Sequence, residues 1–98
     1  MYKINLKLSV KEDLKSIKEY IFRMSFSLET ANKIYNEIMA SILTLKVLPF
    51  MYPIYKYNIR VMTVRRKYRV FYHVNENSKE VTIQYIFWAE QDYHNLIH

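Results

Sequence analysis

Residues 64–74 read VRRKYRVFYHV, an apolar strand pattern in which Arg65, Arg66, Lys67 and Arg69 put four positive charges into the first six positions. Arginine is seldom fully buried without a partner, and its planar fork of donors matches the oxygens of a phosphate or carboxylate. The chemistry on offer is therefore the holding of an anion. Proton transfer has candidates as well: His73, His94 and His98 carry imidazoles that titrate near neutrality, and Tyr93 is able to stack a base or donate a proton. Each of these also reads as an ordinary surface side chain, and most of the ten tyrosines must simply pack. The histidines show no metal-ligand spacing, although His94 and His98 would meet on one helical turn. Neither a metal nor a cofactor is expected.

The charge around these residues is lopsided. From residue 38 to residue 75 there is no Asp or Glu, while Lys46, Lys56, Arg60, Arg65, Arg66, Lys67 and Arg69 fall inside that window. The rest of the chain has eight Lys/Arg against nine Asp/Glu, so one segment carries the whole net charge of +6. A one-signed face attracts a polyanion or an acidic partner; the plainer reading is a basic face kept for solubility. Glycine is absent, which removes every Gly-rich phosphate loop. Any phosphate must be met by side chains. Cysteine is absent too, which excludes disulfides and thiolate metal sites and fits a reducing cytosol. With 98 residues, 51% of them hydrophobic, and no run long enough to span a bilayer, the expectation is one cytoplasmic domain over residues 1–98.

Several elements must position the cations. YKINLKL (2–8) alternates apolar and polar with period 2, a half-buried strand. Ser9 and Glu12 have the spacing of a capping box, and Val10, Leu14, Ile17, Ile21 and Met24 then form a helical stripe. SFSLE interrupts it, with Ser27 as the next N-cap, and Ala31, Ile34, Ile38, Ile42 and Leu45 make a second stripe that Pro49 ends. Residues 47–57, VLPFMYPIYKY, read as an apolar, proline-punctuated connection; its PFMYPIY part, with Met51 and Tyr52, is too greasy to lie free and reads as capping the core or docking a partner protein. Strands are expected near 58–64, 68–74 and 80–88, with turns at 65–67 and 76–79. The order β-α-α-β-β-β predicts an α+β domain: an antiparallel sheet packed against an N-terminal helical hairpin. Tyr68, Val70, Tyr72 and Val74 alternate with Arg69, Phe71 and His73, and Arg60, Met62 and Val64 alternate with Ile59, Val61 and Thr63. Register permitting, Arg60 and Arg69 share one open face.

The ordered set DLKSIKEYI, ANKIYNEIMASILTL, LPFMYP and RVMTVRRKYRVFYHVNENSKEVTIQYIFWAEQDYHNLI resembles the RelE/ParE superfamily of bacterial toxins from type II toxin–antitoxin systems, over essentially the whole chain. RelE-like members cut messenger RNA in the ribosomal decoding site; ParE-like members poison DNA gyrase and need no nuclease site. The resemblance puts Arg69 at a RelE catalytic arginine and Arg60 at a strand lysine. A second lysine becomes Met62, and the C-terminal arginine falls near Gln91, with Tyr93 and His94 as nearby substitutes. On the nuclease reading, Arg60 and Arg69 stabilise the pentacovalent phosphate formed as the 2′-hydroxyl attacks, Tyr93 and His94 serve proton transfer, and Lys56, Arg65, Arg66 and Lys67 bind the nucleic-acid backbone. The half-present constellation, the long helical hairpin and the QDY ending look more like the ParE branch. The basic segment tips the expectation toward a ribosome-dependent mRNA endonuclease, with the gyrase poison as the alternative and a plain RNA-binding module as a minor one. Either toxin implies a cognate antitoxin with an acidic segment, disordered when free, that folds over the basic face; Trp88 reads first as core or antitoxin contact and second as a stacking platform.

Overall fold

The structure is a computed structural model and describes residues 1–88. Strand β1 (Lys3–Leu6) leads into helix α1 (Leu8–Ser25), helix α2 (Leu28–Leu43) and a 3₁₀ turn (Thr44–Lys46). Strands β2 (Ile54–Lys56), β3 (Ile59–Val64), β4 (Tyr68–Asn75) and β5 (Glu80–Trp88) follow. They form one sheet in the order β1-β5-β4-β3-β2, with the helical hairpin on one face. The α+β class is the one expected.

The helices bury the stripes that their spacing requires. Val10, Leu14, Ile17 and Ile21 of α1 and Ala31, Ile38 and Ile42 of α2 close onto Met62, Val64, Tyr68, Val70, Tyr72, Val81, Ile83 and Ile86 of the sheet. Met24 leaves the expected stripe and is exposed, because α1 ends at Ser25 beyond the sheet's cover. Ser27 caps α2 as expected, its hydroxyl accepting from the Thr30 N–H at 3.1 Å. The capping box at Ser9 and Glu12 does not form. Lys7 N–H still bonds to Ile83 O of the sheet (3.4 Å), so the helix starts one residue after β1 leaves it, and Ser9 already lies inside the first turn.

Two features differ from a purely antiparallel four-stranded sheet. β1 docks parallel to β5, pairing Ile4 with Val81 and Leu6 with Ile83, since strand pattern alone carries no pairing direction. The connection 47–57 contains the short edge strand β2, whose three residues and bulged pairing with β3 are too brief to show a period. With no glycine in the chain, left-handed backbone is carried by Phe26, Tyr57, Asn58, Arg65, Arg66 and Lys79.

Candidate functional site

The β3–β4 ladder decides where the arginines go. Its register pairs Arg60 with Tyr72, Met62 with Val70, Thr63 with Arg69 and Val64 with Tyr68. Side chains alternate across a sheet, so Arg60 belongs to the face of Met62, Val64 and Tyr72, against the helices. Arg69 lies on the other face, opposite Thr63 on one side and Phe87 on the other. The expectation of a shared open face is therefore corrected: the two guanidiniums sit on opposite sides of the sheet and do not grip one phosphate together.

Arg60 has a different occupation. Its Nη1 donates to the carbonyl of Tyr52 at 2.7 Å and to that of Phe50 at 3.3 Å, and its guanidinium lies 5.1 Å from the centre of the Phe50 ring. Beside it the fully buried Tyr72 donates its hydroxyl to Pro49 O at 2.7 Å. Burial pushes the Tyr72 phenol up to about 12, with the Arg60 charge pulling in the opposite direction. Sequence reasoning missed this pair of clasps, although one signal was present. Arg60 keeps the phase of Met62 and Val64, and an arginine in a core phase needs acceptors.

Arg69 is partly exposed on the open face, near an aromatic cluster of Phe71 and Phe87 flanked by Tyr55 and Tyr85. Among the described residues its side chain makes no hydrogen bond or ion pair. His73, opposite Ile59 and Thr82, reaches Arg60 indirectly: both line a shallow cleft of about 220 Å³ with Phe50, Ile54, Asn58, Val74 and Glu76. Tyr93 and His94, together with Gln91 and His98, lie outside the described residues.

The four residues expected on a nucleic-acid backbone do not form one patch. Arg65, Arg66 and Lys67 occupy the β3–β4 turn, closed by Lys67 N–H donating to Val64 O at 3.2 Å. Arg65 is tied to Glu37 of α2 at 2.5 Å, and Lys67 rests 5.9 Å from the Tyr68 ring centre. Only Arg66 of the three is exposed without such a contact among the described residues. Lys56 belongs to the opposite end of β3, its ammonium 5.5 Å from the Tyr57 ring centre. Trp88 is half-buried in the core and stacks on Tyr20 of α1 at 6.5 Å, in keeping with its core reading. Among the described residues no three His, Asp or Glu side chains gather where they would hold a metal ion, and no helix is long and apolar enough to cross a membrane.

Comparison with known proteins adds the family. Residues 4–93 match the model of the ParE toxin of the type II toxin–antitoxin system parDE. In three dimensions the chain is similar to one described as the chromosomal ParDE toxin–antitoxin system from P. aeruginosa. That match has a TM-score of 0.78 at 19% identity and covers 91% of this chain and 97% of that one, a likeness of fold. No curated protein sequence matches.

Proposed function

The chain belongs to the family of ParE toxins of type II toxin–antitoxin systems, and on that premise we propose that it arrests growth by poisoning DNA gyrase, without nuclease activity of its own. The observation that carries this reading is the match to the ParE model over residues 4–93, since the ParE-like branch of the superfamily is the one that poisons gyrase. The register supports it. A phosphoryl-transfer site of this type gathers cations around one phosphate, whereas Arg60 is committed to the carbonyls of residues 50 and 52 and Arg69 lies across the sheet from it. A toxin of this kind has a cognate antitoxin, and the acid-free stretch 38–75 favours one with an acidic segment that folds on binding. The cytoplasm, where gyrase and DNA are, is the place of action this reading requires.

The nuclease reading retains one observation, an Arg69 on the open face that has no partner among the described residues. Two reactions run side by side separate the readings. In the first, the purified chain is added to gyrase, ATP and supercoiled plasmid; in the second, to a translating ribosome on a defined mRNA. Accumulated linear plasmid with intact mRNA is the expected result, and Arg69→Ala should leave it in place. Cuts at codons that vanish in Arg69→Ala, with plasmid untouched, would overturn it.

A further inference from the structure

The segment 47–53, which leads into β2 at Ile54, is irregular, yet the sheet holds its backbone tightly. Tyr72 donates to Pro49 O, Arg60 to Phe50 O and Tyr52 O, and the Val61 N–H to Pro53 O at 3.0 Å. Four of the five carbonyls from 49 to 53 are thus captured from outside the segment. Within it, Met51 N–H turns back to Leu48 O at 3.4 Å. The Phe50 ring is braced between the Arg60 guanidinium and the edge of Tyr2, 6.1 Å between ring centres. Pro49 is buried and Tyr52 packs against the core, but the other apolar side chains of the segment are left outside. Leu48, Phe50, Met51 and Ile54 remain 51%, 44%, 57% and 58% exposed. A fixed backbone that turns neighbouring apolar side chains toward water has the form of a preorganised docking surface, because the ordering cost is met before any partner arrives.

The charge around the segment says what kind of partner fits. It lies inside the acid-free stretch, between Lys46 and Lys56. Arg60 spends only Nη1 on the carbonyls; among the described residues its Nε and Nη2 make no hydrogen bond. The cleft it lines with Phe50, Ile54 and His73 has one carboxylate at its rim, Glu76, and room for about one large side chain. A surface of this composition takes a protein segment that pairs apolar side chains with a carboxylate.

We propose that the clasped segment 48–54 is where this toxin seizes its protein target, an acidic apolar face that seats on Leu48, Phe50, Met51 and Ile54 and sets a carboxylate on the free edge of Arg60. The inference rests on the gyrase reading, and gyrase is then the protein that carries this face. Arg60 acts here as a positioning residue as well as a binding one: its Nη1 shapes the loop and its remaining nitrogens meet the partner.

The test uses purified gyrase, supercoiled plasmid and the full chain, reading linear DNA after denaturation and proteolysis. Met51→Glu puts a like charge on the docking face at an exposed position, so Tm should hold while linear DNA falls at least tenfold. A Leu48→Ala, Met51→Ala double variant adds no charge and should lower the yield about threefold. Arg60→Lys keeps the charge but loses the fork; amides at 50–52 should exchange faster, and poisoning should weaken in parallel. Met51→Glu and the double variant poisoning as well as the wild-type chain would overturn the inference while the gyrase reading stands. A wild-type chain that yields no linear DNA would sink the gyrase reading, and this inference with it.

Discussion

At the scale of single residues, two arginines of the same sheet have opposite fates, and stability measurements should separate them. Arg60→Ala removes charge-assisted bonds to two carbonyls and should cost about 1.5–3 kcal/mol in urea denaturation, whereas Arg69→Ala, with no partner among the described residues, should stay within about 0.5 kcal/mol. Tyr72→Phe leaves Pro49 O without its buried donor and should cost about 1–3 kcal/mol. The sign of its pH dependence follows from the raised phenol. The folded state holds the Tyr72 proton more tightly than the unfolded chain, whose phenol loses it near 10. The contribution is therefore complete below pH 10 and is lost as pH rises toward about 12. Wild type should lose more stability than Tyr72→Phe across that interval; parallel curves would show that the phenol is not held as described. Residue type does not separate Arg60 from Arg69; the one sequence signal is that Arg60 keeps the phase of Met62 and Val64, and the observed register shows that this phase faces the helices.

At the scale of elements, the helical hairpin and four of the five strands were legible because their signals are periodic. The stripes of α1 and α2 mark the residues that close the core, and Ile38→Ala, fully buried in α2, should cost about 2–5 kcal/mol. Caps were legible only in part. Ser27→Ala should cost about 1 kcal/mol by removing the bond to Thr30 N–H, while Ser9→Ala, inside the first turn of α1, should change stability by less than about 0.5 kcal/mol. Equal losses at both serines would show that the start of α1 is wrongly placed. Ser9 misled because its spacing to Glu12 satisfies the capping pattern, yet β1 runs directly into the helix and leaves no room for the box. β2 escaped notice for the converse reason: three residues after Pro53 offer no alternation to detect. The direction of β1 against β5 is a property of topology, which local pattern does not encode.

At the scale of the whole molecule, the sheet divides the work. One face and the hairpin make the core; the opposite face carries Arg69 and an aromatic cluster; one end of β3 holds the basic turn and the other the clasped apolar segment. The acid-free charge pattern raised the expectation of an anionic partner for this half of the chain, without distinguishing nucleic acid from protein. Splitting Arg60 from Arg69 weakens the first choice, and membership of the ParE family favours a protein target. The most direct measurement is made in cells. After the chain is induced without its antitoxin, DNA is isolated under denaturing conditions, gyrase covalently attached to breaks is quantified, and mRNA from the same culture is mapped by primer extension. The account predicts gyrase-linked breaks that rise with growth arrest while mRNA stays intact. Unbroken DNA beside mRNA cut at codons would contradict it and return the open-face Arg69 to the centre of the chemistry.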